Sequence, residues 1–214
     1  AGTLFGVTAA LAAHFMRKRL ETIEAVREIV AFPSYGTVPL IEQRVEHRLV
    51  VTEVWEQPHD PAPEAFRAIG VSVSLLPTAG DSGFVLMVTS SQPGEGKSTV
   101  ASNVAIALSR SDKKVLLIDL DLRKPVQHRV WGVPRAPGYS DLVGQGGNAD
   151  DLANIAHRHA ANTKVTVLSA GTRLPDTVAA VMAPTLAGLL EACEDRDLLL
   201  SWEHKKEREN TSRE

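Results

Sequence analysis

An α/β fold, a parallel sheet flanked by helices, is predicted by three observations. Short apolar runs at residues 83–90, 115–120 and 164–168 have strand length and polar or glycine boundaries. Helical periodicity lies between and beyond them: in residues 97–110, Val100, Val104, Ala107 and Leu108 share one face. A glycine-containing loop joins the first run to that helix, and an aspartate pair closes the second run. Strands alternating with helices imply crossover connections and a parallel sheet.

The chain has 214 residues, room for one such domain and a small appendage. Its net charge of −3 supplies no basic field, so a nucleic-acid partner is not expected. Cys193 is the only cysteine, which excludes an intrachain disulfide and a cysteine metal cluster. It shares an apolar helix face with Leu186, Leu189 and Leu190 and reads as core.

The elements are placed in chain order as follows. Residues 1–16 carry no Lys, Arg, Asp or Glu, and Arg17, Lys18 and Arg19 follow. A basic cluster after an apolar run is what the cytoplasmic end of a membrane span shows. Residues 1–19 are expected to be the end of a transmembrane helix with its basic flank, the apolar stretch being shorter than the about 20 residues of a full span; an Ala-rich amphipathic or buried helix is the alternative. Ile23, Val26, Ile29 and Val30 predict a helix over 20–32, which Pro33 stops. Residues 41–56 mix charge with Val and Leu and are not assigned; 57–63, with three prolines, reads as a linker. A helix over 64–76 then leads into the main domain. The expected organisation is 1–19, a juxtamembrane segment and linker at 20–63, a nucleotide-binding domain at 64–200, and a charged tail at 201–214.

The strongest chemical signal lies in residues 84–99, FVLMVTSSQPGEGKST. An apolar strand enters a loop with Gly94 and Gly96, then Lys97, Ser98 and Thr99 open a helix. Glycines permit close backbone approach, so loop amides can turn toward phosphate oxygens at a helix N-terminus. Lys97 brings an ammonium to the β- and γ-phosphates, and Ser98 stands where a hydroxyl can meet Mg²⁺. This is the P-loop pattern, with Ser91 where its first glycine belongs. The plainer alternative, a glycine turn before a lysine-initiated helix, does not explain the strand, the helix and a second motif together. The expected nucleotide-binding residues of this loop are Pro93, Gly94, Glu95, Gly96, Lys97, Ser98 and Thr99, with ATP and Mg²⁺ as cofactors.

The second motif is VLLIDLDLR, residues 115–123. Asp119 and Asp121 fall at a strand's C-terminal end, where ligands bind in open α/β sheets. One carboxylate can support Mg²⁺ and one can accept a proton from an attacking hydroxyl. An N-cap for the next helix is the competing use of such a pair.

With both motifs in hand, the chain resembles the bacterial tyrosine kinases of capsular and exopolysaccharide synthesis. The likeness rests on residues 91–98, including Ser91 in place of glycine, on Asp119, Asp121 and Arg123, on residues 124–145, and on the juxtamembrane-like stretch 22–41. The resemblance implies a P-loop kinase domain on the cytoplasmic side of the bacterial inner membrane, anchored through the N-terminal helix. It implies Lys97 on the phosphates, Ser98 and Asp121 on magnesium, Asp119 as the base for a tyrosine hydroxyl, and Arg123 as a nucleotide-binding residue that positions the phosphates or the aspartates. Its implied partners are protein tyrosines, on itself or elsewhere, the polysaccharide export machinery, and further copies of the chain through Glu64 and Arg67.

Three departures stand out. The family's later apolar strand ends in Asp; here DLLL at 197–200 continues into Ser201, Trp202 and Glu203, so a carboxylate and a core strand are expected to be lost. Gly70 replaces the second Arg of the family's Glu, Arg, Arg assembly helix. The tail carries no Tyr; only Tyr35 and Tyr139 exist. Two other functions therefore stand beside the kinase: a nucleotide-binding regulator without catalysis, and a partition or septum-site type ATPase. Against the last, residues 91–93 lack a second lysine. His157 and His159, in a stretch read as helical, do not share a face and predict no zinc site. Trp55, Trp131 and Trp202 are scattered and read as packing residues, and the GQGG run at 144–147 reads as a loop.

Overall fold

The computed structural model describes residues 33–41, 55, 59–76, 84–147, 151–158, 164–181, 184–192 and 197–201. Packing divides the chain into residues 1–35 and 36–214; the fold belongs to the second unit. The expected transmembrane and juxtamembrane helices, most of 41–56, His159, Cys193 and the tail lie outside the described residues. Among the described residues no helix is long and apolar enough to cross a membrane.

Helix α1 spans Pro61–Ser74. It begins three residues earlier than the linker reading allows, because proline is tolerated in a first helical turn. Asp60 caps it, its carboxylate accepting from Ala62 N at 2.8 Å. Strand β1 is Val85–Val88 and helix α2 is Lys97–Arg110. Strand β2 is Val115–Asp119, followed by short helices α3 at Gln127–Val130, α4 at Tyr139–Gly144 and α5 at Leu152–Ile155. Strands β3 at His157–Arg158 and β4 at Val165–Leu168 come next. Helices α6 at Thr177–Val181 and α7 at Pro184–Ala192 precede strand β5 at Asp197–Ser201.

The sheet order is β1-β5-β2-β4-β3. Four strands are parallel, but β3 runs antiparallel to β4, so the sheet is mixed rather than wholly parallel. His157 therefore lies in a two-residue edge strand, not in a helix. The expected loss of a core strand is also corrected. Strand β5 is present and sits between β1 and β2, with Ser201 in register with Asp119. Its apolar LLL run meets the requirement of a central strand even though no Asp ends it.

Strand β2 is buried along its whole length, and its alternation feeds two cores. Val115 and Leu117 pack with Phe66 of α1 and Val104 and Leu108 of α2. Leu116 and Ile118 pack with Tyr139 and Leu142 of α4 and Leu189 of α7. Strand β1, read as buried, is instead an edge: Val85 and Met87 are 50% and 52% exposed, while Leu86 and Val88 join the α1–α2 core.

Helices α1 and α2 pack closely where Gly70 meets Ala107. A Cβ on Gly70 would stand 3.0 Å from the Ala107 Cβ. The glycine that breaks the Glu64, Arg67 pattern thus serves this contact, and an arginine there would force the helices apart. Trp55 is buried against the same layer, its indole N–H donating to Asn103 Oδ1 at 2.9 Å. The guanidiniums of Arg67 and Arg110 lie 5.3 and 4.6 Å from its ring centre.

Candidate functional site

The loop between β1 and α2 owes its shape to backbone conformation and one carboxylate. Gly94 and Gly96 have φ of +84° and +86°, a region that costs L side chains energy. No atom stands within 4 Å of where either Cβ would be, so the glycines answer to conformation and leave the loop's inner side open. The Glu95 carboxylate accepts from Gln92 N at 3.1 Å and from Ser91 Oγ at 3.0 Å. Those bonds, the Gln92 amide first, pull its pKa below the ordinary carboxylate value. Ser91 thereby acquires a use that its position in the pattern did not reveal.

Lys97 opens α2 and reaches across to the end of β2, where its Nζ lies 2.9 Å from Asp121 Oδ2. Asp121 is 3% exposed, and its other oxygen accepts from Lys124 N at 2.9 Å. Asp119, two residues earlier, is 0% exposed. Its Oδ1 accepts from Asp121 N at 3.1 Å, and its Oδ2 accepts from Val126 N at 3.2 Å and Gln127 N at 3.0 Å. Burial pushes its carboxyl up to about 7; the amide bonds oppose the rise and the neighbouring Asp121 charge adds to it. Asp119 thus shapes the 120–127 turn and satisfies the amides of Val126 and Gln127 at the start of α3.

Gln127, which the sequence reading did not single out, ties the two loops together. It is 0% exposed. Its Nε2 donates to the Ser98 carbonyl at 3.2 Å, and its Oε1 accepts from Ser102 Oγ at 2.7 Å. A glutamine in the run KPVQHR carries no periodicity or spacing that marks it; only the juxtaposition of α2 with α3 does.

One cleft of about 850 Å³ joins the phosphate loop to the turn after β2, with Gly94, Gly96, Lys97, Ser98, Asp121 and Lys124 in its wall; Asp119 and Gln127 are buried behind it and do not line it. Pro93, Glu95 and Thr99 also line it. Val38 and Ile41 close one side. Arg123 is exposed and is not among the lining residues. Glu64 and Arg67 pair with each other at 2.7 Å on the exposed side of α1, away from this cleft. Tyr139 is fully buried, its hydroxyl donating to Ala180 O at 2.8 Å, and burial pushes its phenol up to about 12. It is no accessible phosphate acceptor.

The donors fit a magnesium-nucleotide. The loop is open, its helix N-terminus favours an anion, and the Ser98 hydroxyl and Asp121 carboxylate are hard oxygen donors on one cleft. Among the described residues no cluster of three or more His, Cys, Asp or Glu forms a metal cage. Magnesium beside a nucleotide requires only one or two protein ligands, so Ser98 and Asp121 suffice.

A strand, a phosphate-type loop, a helix and an aspartate-bearing second strand of the same sheet define a P-loop nucleotide-binding domain. The family model described as "ParA: NUBPL iron-transfer P-loop NTPase" matches residues 83–192, and the chain belongs to this ParA-type family of P-loop NTPases. Among curated proteins it is similar to the putative tyrosine-protein kinase EpsB of Ralstonia solanacearum, 30% identical over 166 residues. That alignment covers 73% of this chain and 22% of the relative. It is also similar to the tyrosine-protein kinase etk of Escherichia coli K12, at 27% identity over 93% of this chain and 29% of the relative. The chain thus spans less than a third of these relatives' length. The solved kinase domain of E. coli ETK superposes with a TM-score of 0.74 at 24% identity, covering 86% of this chain and 74% of that one. The BceF tyrosine kinase domain gives 0.71 at 24% identity, covering 86% and 76%. These two likenesses bear on the fold.

Proposed function

We propose that this chain is the ATP-binding kinase module of a polysaccharide-linked bacterial tyrosine kinase. The observation that carries the reading is the Lys97–Asp121 contact, which brings the cation of the phosphate loop and a carboxylate of the second motif to one point. The names of the relatives supply the phosphoryl acceptor, a protein tyrosine.

In this reading the loop amides and Lys97 hold the phosphates, and Lys97 leaves Asp121 to do so. Ser98 and Asp121 are the oxygen donors for magnesium, which when bound neutralises phosphate charge. The tyrosine oxygen attacks the γ-phosphorus in line, the bond to the bridging oxygen breaks, ADP leaves, and the phenolic proton passes to a base. Asp119 is the base that the family resemblance implies. Its carboxyl near 7 suits proton exchange at neutral pH. Both its oxygens accept backbone amides, so this role requires the 120–127 turn to open. Arg123 lies on the exposed side of the same turn and would meet phosphates only on nucleotide binding. The setting proposed with it is the cytoplasmic side of the inner membrane, anchored through residues 1–19, with Glu64 and Arg67 as the contact to further copies and the export machinery as partner.

A second reading, a nucleotide-binding regulator without transfer, is favoured by one observation: β5, between β1 and β2, ends in Ser201 rather than an aspartate. Incubation of the full chain with labelled ATP, Mg²⁺ and a tyrosine-rich peptide separates the two. Label on the peptide that disappears in Lys97→Met is expected of the kinase. Nucleotide binding without transfer is expected of the regulator. Binding that persists unchanged in Lys97→Met would sink both.

A further inference from the structure

We propose that Gln127 is a positioning residue of the nucleotide site, holding the first turn of α2 against the end of β2 so that Ser98 and Asp121 keep the spacing a magnesium-nucleotide requires. This inference rests on the nucleotide-binding part of the reading above and not on tyrosine transfer.

The geometry is specific. Ser98 lies in the first turn of α2 and Asp121 just beyond β2, so the rest of α2 and the whole of β2 lie between them along the chain. Gln127 touches both sides at once. Its backbone N–H holds Asp119 Oδ2 at 3.0 Å, and its side-chain Nε2 holds the Ser98 carbonyl at 3.2 Å. Asp119 in turn fixes the Asp121 backbone through Oδ1. One path of hydrogen bonds therefore runs Ser98, Gln127, Asp119, Asp121.

The orientation of the amide is set by Ser102. Its hydroxyl lies 2.7 Å from Gln127 Oε1 and 2.9 Å from the Ser98 carbonyl. A hydroxyl has one proton to donate. Given to Oε1, it leaves the Ser98 carbonyl to Gln127 Nε2, and every polar atom of the buried amide is then used. Without the Gln127 amide, the Ser102 proton turns to the Ser98 carbonyl. No buried acceptor is stranded, and the domain keeps its fold while α2 and β2 lose their tie. Groups that orient metal ligands without touching the metal typically change metal affinity by about 10- to 100-fold when removed.

The test compares ADP binding with Mg²⁺ and with EDTA, by calorimetry on the full chain, in wild type, Gln127→Met and Ser102→Ala. Gln127→Met is expected to weaken Mg-ADP about tenfold and to shift ADP in EDTA less than about twofold. Ser102→Ala is expected to move the same ratio in the same direction by a smaller factor, because it frees the amide without removing it. An equal loss with and without magnesium, or no loss with magnesium, overturns the inference and leaves the nucleotide reading intact. If Gln127→Met shows no cooperative thermal transition, Ser102→Ala decides: an unchanged ratio overturns the inference. A wild-type chain that binds ADP in neither condition overturns the nucleotide reading, and this inference with it.

Discussion

Two loops leave the same end of the sheet, one after β1 and one after β2, and each is organised by a carboxylate that accepts backbone amides. In the first, Glu95 holds Gln92 N and Ser91 in solvent. In the second, Asp119 holds three amides at zero exposure. Their acidities move in opposite directions. The exposed Glu95 carboxyl is pulled down, because hydrogen bonds to the charged form meet little desolvation. The buried Asp119 carboxyl is pushed up to about 7, because the loss of water outweighs three hydrogen bonds. The same local device thus gives a more acidic clasp in one loop and a latch that titrates near neutral pH in the other.

The comparison is sharpened most by pH. Asp119 has a folded pKa of about 7, against an ordinary value of 3.8. Between those values the folded chain binds more protons than the unfolded one, so stability falls as pH rises. The contribution is full below pH 3.8 and lost as pH passes 7. The difference in unfolding free energy between wild type and Asp119→Asn, from denaturant titrations at pH 4 and pH 8, is expected to change by about 4 kcal/mol. A difference that is flat with pH would break the contrast between the loops. Next in size is Asp119→Ala at pH 5, which leaves the amides of Asp121, Val126 and Gln127 without their acceptor. A loss of about 3 kcal/mol in urea unfolding is expected, since stranded buried donors cost about 1–3 kcal/mol each. Smallest is Glu95→Gln, which keeps an acceptor in a solvated loop. Its urea midpoint is expected to equal that of wild type; a clear drop would mean that the exposed clasp carries stability as the buried one does.

Much of the site was legible because its demands are local. Gly94 and Gly96 are required by a left-handed backbone within a few residues of Lys97, and β2 announces itself by an uninterrupted apolar run. The bounds of α2 follow from its own periodicity, and the start of α1 was missed only because proline in a first turn looks like linker. The antiparallel β3 was not legible, since two residues carry no period. Nor was the role of Gly70, which is set by Ala107, or the half-exposure of β1, which depends on its place at the sheet edge.

The sequence by itself determined that a phosphate-type loop, a lysine and serine at a helix start, and two aspartates at a strand end occur in one α/β domain. These follow from short-range chemistry that a linear chain displays. Only the tertiary structure decided that β5 separates β1 from β2, that Lys97 meets Asp121, and that Gln127 joins Ser98 to Asp119. It also decided that Asp119 is buried and Glu95 is not. The physical reason is that burial and hydrogen bonding between distant segments arise from packing, and packing alone fixes which of two similar carboxylates loses its water.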